Sequence, residues 1–136
     1  MKLLMFYAPS FWYKAFDKAL CQASNQERDE KVIEAVVVFY QAEEKDQGRE
    51  VKVLSKLLKN VKWQAGKVAS KAVVLHSLSH LSVSKAPPEL AARIAEEVKQ
   101  RLEQSGFAVT VTPFGYLSEW KMHVAGSSLA KVFKEL

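Results

Sequence analysis

Two amphipathic stretches with a short, unalternating apolar run between them leave this chain few ways to fold. From Arg49 onward, Leu54, Leu57, Leu58, Val61 and Ala65 recur at spacings of three and four. That period predicts a helix with one buried face and its basic residues turned to water. Leu90, Ile94, Val98 and Leu102 predict a second helix, opened by Pro87-Pro88 and stopped by Gly106 at a left-handed cap. Between them Ala72 to Leu75 reads as a strand covered on both faces. Strands separated by single helices imply the α/β class, here a compact single-domain sandwich with a mixed β-sheet and two main helices.

The flanking segments extend that sheet. Lys2 to Tyr7 and Phe11 to Phe16, divided by Pro9-Ser10, predict an N-terminal hairpin. Gln22 to Lys31 is polar and reads as a loop, Val32 to Tyr40 as a buried strand, and Glu43 to Gly48 as a solvated loop. Phe107 to Thr112 alternates as a strand, Leu117 to Val124 is expected to pair with it, and Ser128 to Leu136 is compatible with a closing helix. The expected order is ββ, β, α, β, α, ββ, α in one domain spanning 1–136, with no linker or internal repeat.

A chain of 136 residues buries roughly two-thirds of its unfolded surface and holds a core without disulfides. Cys21 is the only cysteine, which excludes an internal disulfide or a Cys-rich metal framework and fits a reducing, cytoplasmic setting. No apolar run approaches the roughly 20 residues of a spanning helix, and Met1 to Tyr7 is too short for a secretory signal, so no membrane partner is expected. Lysine and arginine outnumber the acids by 20 to 15, a formal charge of +5. That balance suits a polyanion such as RNA, but without a basic block the motifs must carry the argument.

Two strand ends bear chemistry. Val73 to Leu75 runs into His76-Ser77-Leu78-Ser79-His80-Leu81-Ser82, and Phe107 to Thr112 runs into Pro113-Phe114-Gly115-Tyr116. Together they imply one crevice. His76 and His80 would share a face on a helix, but they follow a strand, no carboxylate separates them and His123 is remote, so no metal is expected. His80 reads either as a structural surface histidine or as a ligand contact at a strand's carboxyl end. Pro113 to Tyr116 reads either as a turn or as a stacking surface, with Gly115 admitting close approach of backbone amides and Phe114 and Tyr116 flanking a base. Trp12, Tyr13 and Trp120 read as core or dimer contacts. Ser127 and Ser128 lack a nucleophile elbow, Cys21 lacks a positioned base, and no Gly-rich phosphate loop occurs, so neither a covalent intermediate nor a cofactor is expected.

Lys2-Leu3-Leu4-Met5, Asp17-Lys18-Ala19-Leu20, His80-Leu81-Ser82, Gly106-Phe107 with Val109, Pro113-Phe114-Gly115-Tyr116, and Gly126 with Leu129-Ala130 form a set spread over nearly the full length. In this set the chain resembles the N-terminal editing domain of archaeal-type threonyl-tRNA synthetases, a relative of the D-aminoacyl-tRNA deacylases. The resemblance implies a deacylase-like homodimer that hydrolyses serine from the 3′ acceptor end of threonine tRNA while sparing threonine, with a threonyl-tRNA synthetase catalytic chain as a further candidate partner. A site built for threonine cannot exclude the smaller serine, because one missing methyl supplies only about 1–3 kcal/mol of discrimination. The implied pocket comprises Tyr7, Ala42, Ser77, Ser79, His80, Phe114, Gly115, Tyr116 and Leu117.

The catalytic candidates are His80, Ser118, Lys121 and Lys131. Many relatives carry lysine where Ser118 stands, and a family glutamate is replaced by Lys131. The expectation is therefore that backbone groups and the tRNA 2′-hydroxyl position the attacking water. Two rival readings are a D-aminoacyl-tRNA deacylase, whose Ser-Gln-x-x-Leu and Gly-Pro-Val-Thr-like signatures this chain lacks, and a noncatalytic module that binds the acceptor end. An ATP-dependent aminoacylation core has no room in the sequence.

Overall fold

The computed structural model describes residues 1–20 and 28–136. The chain runs β1 (Lys2–Lys18), β2 (Asp29–Gln41), a 3₁₀ turn (Glu44–Asp46), α1 (Glu50–Lys67), β3 (Ala72–Ser77), α2 (Pro88–Gln104), β4 (Ala108–Val111), β5 (Tyr116–His123), a second 3₁₀ turn (Ser128–Ala130) and β6 (Lys131–Glu135). The six strands form one mixed sheet in the order β4-β3-β2-β1-β5, with β6 also on β1. Pairing of β2 with β3 and of β3 with β4 is parallel, and β1 runs against every strand it touches.

Both helices form where the periodicity places them and pack on the same sheet face. Leu54, Leu57, Val61, Ile94, Val98 and Leu102 join Leu3, Met5, Val36, Val38, Val73 and Leu75 in one cluster. The helices end alike. Phe107 N–H reaches Leu102 O at 3.0 Å over Gly106 (φ +90), and Ser70 N–H reaches Ala65 O at 2.9 Å over Ala69 (φ 53). Among the described residues no helix is long and apolar enough to cross a membrane.

The expected N-terminal hairpin is replaced by one continuous strand. Pro9 makes no turn because it lies where β1 changes neighbours on one edge, from β6 (Lys2 to Phe6) to β5 (Ser10 to Lys18). A missing N–H costs little in that gap. Across the ribbon stands Glu34 in a left-handed conformation (φ 51). Both strands break their alternation here: inward positions step from Ala8 to Phe11 on β1 and from Ala35 to Val32 on β2. The ribbon beyond this corner folds over the sheet face that has no helices. Its far end is fastened there by Arg28, whose guanidinium donates to Val111 O at 2.8 Å and pairs with Glu30. Glu30 also accepts from the Tyr13 hydroxyl at 3.0 Å.

Three further expectations are corrected. β5 pairs with β1 rather than with β4, because the folded ribbon supplies an edge that β4, already paired with β3, does not need. Residues 131–135 form β6 and not a helix, since the first half of β1 leaves an edge for Lys131 to Glu135 to pair with Phe6 to Lys2. Within the Glu43 to Gly48 segment, Glu43 and Asp46 are buried rather than solvated. They face the Met1 ammonium at 3.1 and 2.8 Å. Cys21 and the first part of the expected loop from Gln22 lie outside the described residues.

Candidate functional site

Parallel pairing brings the carboxyl ends of β2, β3 and β4 side by side, so the two chemistry-bearing strand ends do meet. Thr112 N–H donates to Leu75 O at 3.1 Å, and the Thr112 hydroxyl lies 2.9 Å from His76 Nδ1. Burial pushes the His76 imidazole down to about 4, so it is neutral at physiological pH. His76 also packs edge-on against Phe39, whose ring in turn meets Phe6, Phe11 and Trp120. His80, past the end of β3, is exposed. The two histidines thus occupy different environments, and the described residues contain no group of three or more metal-ligating side chains.

The segment that carries His80 is held by the end of β2. Leu78 N–H donates to Tyr40 O, and Ala86 N–H to Ala42 O, each at 3.0 Å. Between these points the buried Gln41 side chain accepts from Leu81 and Ser82 N–H and donates to Ser82 and Ser84 O. Glu43 accepts from the Ser82 hydroxyl at 2.7 Å. Burial would raise the Glu43 carboxyl, but the Ser82 hydrogen bond, the Met1 ammonium and Lys45 outweigh it and hold the group below the usual range. Leu78 and Leu81 turn back onto the cluster of Phe11, Tyr13, Val37, Phe39 and Val74.

β5 reaches the same cluster from the other side. Met122 packs on it, Trp120 lies 5.2 Å from Phe39, and alternation puts Ser118 on this face. The Ser118 hydroxyl is buried without a hydrogen-bond partner among the described residues. Gly115 (φ +82) closes the preceding turn, and its carbonyl accepts from Ala19 and Leu20 N–H at 2.6 and 3.0 Å. Tyr116 pairs with Lys18, and Leu117, more than half exposed, with Asp17. Phe114 leans to the helix side, where with Val111 to Pro113 it borders a recess of about 230 Å³ against Ala92, Ala95 and Glu96.

The remaining sequence candidates are distributed as follows. Ser77 ends β3, exposed; its hydrogen bond opposes the burial that raises the Tyr40 hydroxyl above the usual phenol range. Ser79 is exposed in the turn and Ala42 is buried. Tyr7 and Lys131 share a neighbour: Tyr7 O accepts from Ala125 N–H, and Lys131 Nζ donates to Ala125 O at 3.0 Å. Lys121 stands over the Trp12 ring at 5.5 Å and lines a separate recess with Lys31 and His123. The structure therefore gathers the His80 loop, Ser118 and the Tyr116 strand around one cluster, and sets Lys121 and Lys131 with other partners. Sequence reading passed over Gln41, Glu43 and Arg28. The available signal was three polar residues at the two ends of an apolar strand, where loops normally begin.

Residues 1–136 match the family described as the archaea-specific editing domain of threonyl-tRNA synthetase. Curated relatives include threonine-tRNA ligases of Thermococcus onnurineus, 28% identical over all of this chain, and of Hyperthermus butylicus, 30% identical over 97% of it. The chain spans 22% of the length of each. Among solved structures, the c-Myc DNA Unwinding Element Binding Protein superposes with a TM-score of 0.66 at 10% identity, covering 100% of this chain and 99% of that one. At that identity the likeness speaks for the fold, which is the deacylase-like one.

Proposed function

This chain belongs to the archaea-specific editing domain family of threonyl-tRNA synthetase, and from that premise we propose that it deacylates L-seryl-tRNA(Thr) while sparing threonyl-tRNA(Thr). The family carries the proofreading role. The finer reading rests chiefly on the convergence of the His80 loop and β5 on one apolar cluster, with the buried Ser118 hydroxyl beside it lacking a partner among the described residues. Ser77, Ser79 and His80 line the amino-acid half of the pocket, and Gly115, Tyr116 and Leu117 take the terminal adenosine, with Phe114 backing the turn from the helix side. Tyr7, on β1, and Ala42, just past the end of β2, complete the proposed set.

No charged side chain is needed at the reacting carbon. An aminoacyl ester is activated, and main-chain N–H groups with the ribose 2′-hydroxyl suffice to place water and stabilise the oxyanion. The placement of Lys121 over Trp12 and of Lys131 on Ala125 supports roles for both lysines outside the chemical step. In this reading the pocket admits the serine side chain and refuses threonine's added methyl.

The test is release of amino acid from purified seryl-, threonyl- and D-aminoacyl-tRNA. We expect selective release of serine, near loss of turnover on 2′-deoxy seryl-tRNA, and at most about threefold losses in Lys121→Ala and Lys131→Ala. D-selective release, or binding without release, would reject the reading; collapse in either folded lysine variant would reject the lysine-independent mechanism. We propose further that the domain works as a homodimer in the cytoplasm. Phe16 (76% exposed), Phe133 (53%) and Trp120 (42%) offer apolar surface for a second copy.

A further inference from the structure

We propose that Gln41 is the positioning residue for the His80 loop, setting the geometry of the amino-acid pocket through four main-chain hydrogen bonds; this rests on the editing reading above. Gln41 is the last residue of β2 and is 5% exposed. Its Oε1 accepts from Leu81 N–H at 2.9 Å and Ser82 N–H at 2.8 Å. Its Nε2 donates to Ser82 O and to Ser84 O, both at 2.9 Å. Two donors and two acceptors are the whole useful capacity of a carboxamide. All four meet the backbone of residues 81–84, directly after His80.

The arrangement solves a definite problem. Beyond Ser77 the chain leaves the sheet, so its N–H and C=O groups lose their ladder partners and would need others. One side chain, aligned like a short piece of strand, supplies them. Its neighbours lock the same segment: Ser82 Oγ donates to Glu43, Ser84 N–H donates to Ser82 Oγ at 3.1 Å, and Glu44 N–H donates to Ser84 Oγ at 3.0 Å. His80 itself is exposed, so its aim depends on residues following it that are fixed from β2. Glutamate would keep the acceptors and place a second oxygen against two carbonyls; methionine would keep the volume and drop all four bonds.

The experiment uses the full chain with Gln41→Met, Gln41→Glu and His80→Ala, assayed on seryl-tRNA(Thr), with amide hydrogen exchange read in parallel. We expect Gln41→Met to lower kcat at least about tenfold with KM within about twofold, and to cost under about twofold more in the His80→Ala background. Exchange at Leu81 and Ser82 should quicken about a hundredfold while Val37 stays protected. A folded variant with parental kcat, or a full additional loss in the His80→Ala background, would overturn the proposal. If Gln41→Met does not fold, Gln41→Glu is read by the same criteria. Failure of the parent chain to release serine would sink the editing reading alone; rapid exchange of Leu81 and Ser82 amides in the parent would sink the clamp alone.

Discussion

His76 shows how one residue links the sheet's interior to solvent conditions. Its imidazole sits between Phe39 and the Thr112 hydroxyl, and burial lowers it to about 4. An unfolded histidine titrates near 6.5, so between these values the unfolded chain holds more protons and stability falls as the pH falls. The contribution is whole above about pH 6.5 and lost progressively towards pH 4, by up to about 3 kcal/mol. Urea unfolding across this window should show that slope, and His76→Gln should flatten it; an equal slope in the variant would mean that His76 is solvated. The depressed Glu43 carboxyl adds its own loss at lower pH, which parent and variant share. In the sequence His76 and His80 look alike. Only the extension of β3 to Ser77 separates the buried one from the exposed one.

At the scale of elements, legibility followed period. Both helices and β3 could be read because their apolar spacing persists across the whole element. β1 could not, because Pro9 carries the usual mark of a turn and its tolerance comes from a gap between two partner strands far along the chain. The same corner hides β5's partner, since an edge made by folding has no local signature. Glu34 gives a test of the corner. Its left-handed backbone suits glycine and penalises a β-branched side chain. Glu34→Gly should be neutral or stabilising by up to about 1 kcal/mol, whereas Glu34→Val should cost about 1–2 kcal/mol in urea unfolding. Equal stabilities would place the residue in an ordinary extended conformation.

For the whole molecule, the sheet has one helix-covered face and one face covered by its own ribbon, and the candidate site lies where the folded ribbon meets the loop after β3. The motif blocks announced both sides of that meeting. What they did not announce is the scaffold beneath: Gln41, Glu43 and Arg28 act through partners more than thirty-five residues away. Apolar side chains left on the ribbon and on β6 bear on assembly. Sedimentation at micromolar concentration should give twice the 15.3 kDa chain mass, reduced towards one chain by Phe133→Glu; a 15.3 kDa species throughout would exclude pairing. The paired break at Pro9 and Glu34 has a further consequence for how such a chain can vary. Deleting one residue from β1 between the corner and Tyr13 would slip Tyr13 off Glu30 and turn it outward; a matching deletion across the ribbon would restore the pairing, and only the loss of two residues from each strand would restore the facing as well, so the lengths of these two strands are bound to change in step and by twos.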